Sequence, residues 1–411
     1  MKDRNDKPDC QPTQKKIGLD LCRRDFLRST TVAGLGSAGL LLSPPAALST
    51  VKSADAPPGR RLDPTAELRV GMIGTSGHTG VVLNALGSIP GARLVSYAMK
   101  DAQRLQKEVA QTRYADTFQT DTEQVQKHRA WRSDSKIYET YQEMFSKEKL
   151  DVVGICLPYA INAFASMAAA ERGIHIMSEK PLATEMKDLE QLRKIVDKSG
   201  VEISAMLEMR LSPEIRTIHE SVARGLIGEP VLATAQKSYK WGQTRPWFYR
   251  SRQTFGGTIP WIGIHAIDFI LHTTGLRVET AAAVQGNKAH ADFPGTEDHV
   301  GILLGLSNGG TAVVTLDYLR PETAEDHGDD RLRLAGTKGV IEMRAGKVEL
   351  ITGEGPRRQL QLLPSQSIFA DFVAFLRGQA PHILGRDEVF DVNRVCLLAR
   401  QAADEKRVIA V

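Results

Sequence analysis

The stretch "AELRVGMIGTSGHTGVVLNALGSIP", residues 66–90, decides the fold. It opens with a short apolar run, Leu68 to Ile73, that reads as a strand. A glycine-rich turn follows, Gly74-Thr75-Ser76-Gly77-His78-Thr79-Gly80, and then "VVLNAL" takes up helical spacing. Strand, glycine turn and helix start make the first unit of a dinucleotide-binding sheet. The glycines let backbone approach a pyrophosphate, and the helix start offers unpaired N–H groups. The spacing is GxxGxxG rather than GxGxxG, and glycine turns also join strands to helices for packing alone. In this setting Gly74, Thr75, Ser76, Gly77, His78 and Thr79 are read as cofactor-binding.

The pattern continues outward. "ARLVSYAM", 92–99, is a second strand. An acidic residue at its end would hold ribose hydroxyls, but Met99 and Lys100 stand there, with Asp101 one step later. Lys100 tilts the reading towards NADP over NAD, since an ammonium suits a 2′-phosphate; the alternative is a solvated turn lysine. Residues 101–149 are polar and largely helical in pattern, with an insertion-like charged stretch, "QKHRAWRSDSKIYET". "LDVVGICLP", 150–158, reads as a strand buried on both faces, "NAFASMAAAERG" as a helix, and "IHIM", 174–177, as the next strand. The order β-α-β-α-β-α-β calls for a parallel sheet. Ligands of such sheets sit beyond the carboxyl ends of the strands. Leu157, Pro158 and Asn162 fall at that rim and are assigned to the cofactor. So does Ser178-Glu179-Lys180-Pro181, where proline ends the ladder and Lys180 can project towards the nucleotide. Glu179 either positions Lys180 or the ribose, or forms a plain salt bridge.

The 411-residue chain has room for about two domains. Its +4 charge is concentrated at the N-terminus, where residues 1–50 carry eight Lys and Arg against five Asp and Glu. The near-neutral remainder gives no case for a nucleic-acid partner. Cys156 and Cys396 sit in apolar runs and imply no disulfide framework. "CRRDFLRSTTVAGLGSAGLLL" places Arg23 and Arg24 before a short Gly- and Ala-rich apolar stretch, too brief for a stable membrane anchor. It resembles a Tat export signal, with Cys22 where Ser or Thr is usual. That resemblance implies the Tat machinery as a partner and a periplasmic or otherwise exported protein. The expected organisation is a signal segment over 1–50, a linker over 51–66, a nucleotide domain over 67–205, and a substrate and oligomerisation domain over 206–411.

Several later blocks fit one family. "SEKPLA" (178–183), "MRLSPEIRTIHESVARGLIGEPVLATA" (209–235), "FGGTIPWIGIHAIDFILHTTG" (255–275) and "LAGTKGVIEM" (334–343) occur in the order of the Gfo/Idh/MocA oxidoreductases, and the chain resembles that family over about 67–411. The resemblance implies an α/β fold in two parts. The first is a Rossmann domain with a doubly wound parallel sheet. The second is a C-terminal α/β domain with a large, mostly antiparallel open sheet, through which the chain would form a homo-oligomer, and its C-terminal helix would pack back on the first domain. It further implies NADP- or NAD-dependent redox chemistry on a sugar-like small molecule. Carried over by position, Lys180 would steady the substrate oxygen and His265 would relay the proton. Asp268 would orient His265 or cap backbone. The family motif's own Asp is replaced by Trp261, which cannot ionise or take a proton.

Two other functions stay open at this level: an NAD-dependent glycoside hydrolase of the same family, and a non-catalytic nucleotide- or sugar-binding relative. No metal site is expected, because His265 and His272 lack further ligands at recognisable spacing. The aromatic and cationic run "SYKWGQTRPWFYRSRQTFGG", 238–257, offers rings and arginines to a sugar, though ordinary packing accounts for most of them. Arg210 is read as structural, at the crossover between domains.

Overall fold

The computed structural model describes residues 61–98, 122–242 and 245–411. The proposed signal segment, most of the linker and Lys100 lie outside these. The apolar runs become β1 (Leu68–Ile73), β2 (Ala92–Ala98), β4 (Val152–Ile155) and β5 (His175–Ser178). Two short strands complete the sheet, β3 (Lys136–Tyr138) and β6 (Ile203–Ala205). All six run parallel in the order β3-β2-β1-β4-β5-β6. The strand order reverses between β1 and β4, which opens a crevice beyond their carboxyl ends. Every residue of β4 and β5 is buried, and each large aliphatic among them contributes about 1.5–3 kcal/mol by leaving water.

The stretch read from sequence as an insertion contains β3. Only Tyr138 of that edge strand is buried, while Lys136 and Ile137 are exposed, so it has no apolar signature to recognise.

The second sheet holds β7 (Pro230–Lys240), β8 (Val278–Gly286), β9 (His299–Leu306), β10 (Thr311–Arg320), β11 (Gly328–Gly336), β12 (Gly339–Arg344), β13 (Lys347–Thr352), β14 (Gly355–Gln359) and β15 (Ile409–Ala410). The order is β14-β13-β12-β11-β7-β10-β9-β8-β15, and only β7 and β10 pair in parallel. Alternation sorts its two faces. Ala312, Val314 and Leu316 of β10 are buried, whereas Val313 is among the exposed apolar residues. Helices Ile264–Thr274 and Arg386–Glu405 cover the inner face, and Arg386–Glu405 also reaches β6 and the helix Met186–Ser199 of the first sheet. A second late helix, Ile368–Leu376, sends Phe369, Phe372, Val373 and Leu376 into the same core as Leu68, Val70 and Met72. Two C-terminal helices therefore fasten the sheets together, and the carboxyl rim of the first sheet faces the inner side of the second.

Candidate active site

The glycine turn and the Glu179-Lys180 rim are one construction. Gly74 has φ +72°, and a Cβ there would lie 2.3 Å from the Cys156 carbonyl oxygen. Gly77 has φ +92°, and its Cβ would lie 2.7 Å from Glu179 Cδ. Only glycine satisfies both the backbone and the space. Glu179 is fully buried. Its Oε2 accepts the His78 N–H at 3.3 Å, and His78 Nδ1 lies 2.9 Å from Oε1. Burial alone would depress the His78 imidazole; the Glu179 carboxylate outweighs it, so the net shift is upward.

Ser76 donates its N–H to Cys156 O (2.8 Å), and Thr79 leads into the helix Gly80–Leu86. Thr75 lies between Gly74 and Ser76 in this turn. Pro158 precedes the helix Tyr159–Ala170. Asn162 spends its amide on the scaffold. Oδ1 accepts from Leu157 N–H at 3.2 Å, and Nδ2 donates to the Glu179 and Pro181 carbonyls at 3.3 Å each. It ties the ends of β4 and β5 together at the rim of the crevice. The side-chain-free cradle at residues 74 and 77, against the ends of β1 and β4, fits a dinucleotide backbone.

Lys180 is 2% exposed. Its Nζ donates to the Trp261 carbonyl at 3.2 Å, lies 3.8 Å from Glu179 Oε1 and sits 5.5 Å from the centre of the Trp261 ring. Burial pushes this ammonium below the usual lysine range, with Glu179 and Glu208 opposing the shift. A wide, π-helical turn, Ile259–Gly263, delivers Trp261 immediately before the helix that carries His265. His265 is buried, and its Nδ1 has no hydrogen-bond partner among the described residues. Burial, then Lys180 and Lys237, hold the imidazole well below its ordinary range, so it stays neutral.

Asp268 does not serve His265. Its carboxylate is gripped by Arg210, with Nε at 2.9 and 3.0 Å from the two oxygens and an Nη2 contact at 2.8 Å. Arg210 Nη1 also donates to Ile383 O (2.7 Å) and Glu388 Oε2 (2.8 Å). The pair joins the crossover segment to the C-terminal helix. The Arg210 guanidinium competes better for the carboxylate than a neutral imidazole one turn away does.

Sequence reading missed Lys237, Asp330 and Glu208. Lys237 is fully buried on the inner face of β7, in line with Ala233 and Ala235. Its Nζ donates to Asp330 Oδ2 at 2.7 Å. The signal was present: a lysine at an inward position of an alternating strand breaks the pattern. Arg245 stacks at 5.0 Å over Trp241 and 5.2 Å over Trp261, so part of the aromatic run packs around this cation. The side chain of Trp247 lies outside the described set. Elsewhere, His382 bridges Ser204 Oγ (2.8 Å) and Asp371. Ser204 is fully buried within β6, so this chain of bonds pins the C-terminal segment rather than presenting a nucleophile. His272 stacks on His219 at 4.3 Å, and neither belongs to a group of three potential metal ligands, of which the described residues hold none.

Comparison with known proteins agrees with this architecture. The family model described as "Oxidoreductase family, NAD-binding Rossmann fold" matches residues 68–206, and the GFO/IDH/MocA C-terminal domain model matches residues 215–342. The rhizopine catabolism protein MocA of Rhizobium meliloti is 26% identical over 252 residues, 60% of this chain and 74% of that protein. The scyllo-inositol 2-dehydrogenase (NADP(+)) of Bacillus subtilis is 24% identical over 305 residues, 67% of this chain and 83% of that protein. An oxidoreductase of Thermotoga maritima with a solved structure is 33% identical, with a TM-score of 0.73 over 84% of this chain and 100% of that one. The chain belongs to the Gfo/Idh/MocA family of NAD(P)-dependent oxidoreductases.

Proposed function

We propose that the enzyme interconverts a carbinol and a carbonyl on a sugar, polyol or related hydroxy compound, and that it does so outside the cytosol with a nicotinamide cofactor it retains. The carrying observation is a set of buried polar atoms with no hydrogen-bond partner among the described residues: Glu208 Oε2, Trp261 Nε1 and His265 Nδ1 in the surroundings of Lys180, Tyr318 Oη beside Trp261, and Asp330 Oδ1 beside Lys237. Donors and acceptors interleave there, as several hydroxyl groups would require. The scyllo-inositol dehydrogenase relative supports the same substrate class.

When bound, the nicotinamide supplies the acceptor or donor of the hydride. Gly74 and Gly77 admit its pyrophosphate, and the His78–Glu179 pair sets the floor of the crevice. In the oxidative direction the carbinol C–H bond breaks with its electron pair leaving, and the hydroxyl proton passes to the Lys180 amine. A carbonyl and a Lys180 ammonium result. The depressed pKa of Lys180 makes its amine accessible for that role, and its ammonium polarises the oxygen in reverse. Neutral His265 orients the hydroxyl through its free Nδ1. Trp261 contributes an N–H donor and a ring wall.

The twin-arginine segment supports export, which transports a folded protein and so allows cofactor to be carried within it. The apolar outer face of the second sheet, with Leu232, Val284, Leu303, Val313 and Leu319 exposed, supports self-association. Denaturing the purified protein and identifying released nucleotide by absorbance and mass tests the reading. NAD or NADP near one per chain is expected; an empty protein that takes up either only weakly contradicts retention.

A further inference from the structure

Lys237 is not accounted for by packing. A buried ammonium must be paired, and a chain needing only to fill this inner-face position would place an aliphatic there at less cost. Nζ makes a 2.7 Å bond to Asp330 Oδ2 and a 3.1 Å contact to Met209 Sδ, with the rings of Tyr239 and Phe269 at 5.1 and 5.3 Å. Asp330 is the direct cross-strand neighbour on β11. Its Oδ1 is buried with no partner, as is Glu208 Oε2. Met209 adjoins Glu208, and Phe269 lies one helical turn after His265, so the Lys237 ammonium neighbours the residues around Lys180.

We propose that Lys237 and Asp330 form a second substrate-facing pole of this active site, a donor–acceptor pair that holds a hydroxyl group neighbouring the one Lys180 engages, and that the pair works only while Lys237 is protonated. This rests on the sugar and polyol reading above and deepens it. A hydroxyl both donates and accepts. Asp330 Oδ1 offers a free acceptor, and the Lys237 ammonium, with three N–H groups, keeps a donor beyond those spent on Asp330 and Met209. The site would then favour compounds bearing adjacent hydroxyls over simple secondary alcohols.

The groups facing Lys237 set its charge. Burial lowers its pKa to about 8, Asp330 and Glu208 oppose the shift, and Lys180 adds to it. The pair is therefore charged at neutral pH and loses its ammonium as the pH rises through that value.

The test uses full-length nucleotide-loaded protein carrying [ε-13C]lysine, with Lys180 and Lys237 signals assigned through K180M and K237M. Scyllo-inositol, methyl glucoside and 2-propanol are titrated in turn. A polyhydroxylated compound should shift both signals, and 2-propanol should leave Lys237 still. Lys237 should titrate near pH 8, with a higher midpoint in K180M. In turnover, K237M and D330N should raise KM at least tenfold while kcat falls less. K237R should recover part of the affinity and remove the alkaline rise in KM. A polyol that shifts Lys180 but not Lys237, or K237M with unchanged KM, overturns the inference. If no polyol or glycoside moves either signal, the sugar reading itself fails and the second pole falls with it. K237R and the isosteric D330N guard against mistaking misfolding for lost binding, with melting curves run beside each.

Discussion

Replacing Gly77 by Ala probes the joint between the glycine turn and the Glu179-Lys180 rim. The residue holds φ +92°, and the new methyl would sit 2.7 Å from Glu179 Cδ. A left-handed backbone costs a non-glycine residue about 1–2 kcal/mol. Glu179 cannot simply swing aside, because it is fully buried and bound to His78 through the backbone N–H and Nδ1. Displacing it forfeits charge-assisted hydrogen bonds, for about 1–3 kcal/mol more. The total of about 2–5 kcal/mol falls on the crevice itself, so nucleotide affinity should drop by about thirtyfold to a few thousandfold. Calorimetric titration of nucleotide-free protein with NAD+ and NADP+ reads the loss. Gly309→Ala is the control: φ is +79°, but a Cβ there meets nothing within 4 Å, so it bears backbone strain without touching the site. If Gly77→Ala binds nucleotide as tightly as Gly309→Ala, the turn does not hold the cofactor against Glu179.

Two further outcomes follow from the ionic groups. Asp268→Asn leaves the buried Arg210 with Glu388 as its one remaining bonded carboxylate among the described residues, and should cost about 3 kcal/mol in denaturant unfolding while turnover per folded molecule persists; a selective loss of turnover would return Asp268 to the chemistry. The raised pKa of His78 means its pairing with Glu179 stabilises the fold fully below the unfolded value, about 6.5, and is lost as pH rises through the higher folded value. The stability difference between wild type and His78→Asn should therefore shrink from slightly acidic to alkaline pH, and a difference constant across that window refutes the pairing.

The first sheet was legible because its central strands are buried on both faces, so "VVGI" and "IHIM" are mostly apolar, broken only by His175, between glycine and helix signals. Edge strand β3 was not, since three residues with one buried side chain leave no pattern. The rim motif disclosed Lys180 through its incompatibility with a strand. The ion pair of Asp268 was not legible, because its partner Arg210 lies 58 residues away and meets it only in the folded chain. Lys237 was visible in principle as a charge among inward-facing alanines, but its meaning depends on Asp330, which only strand pairing brings opposite.

The central claim is that the Lys180 amine handles the substrate proton beside the bound nucleotide. Lys180→Met preserves much of the apolar contact with Trp261 and removes the ammonium. Measured on whichever polyol or glycoside the wild type turns over, kcat should fall by about 10²- to 10⁴-fold while calorimetric nucleotide affinity is retained. Turnover within about tenfold of wild type, with nucleotide still bound, would contradict the account.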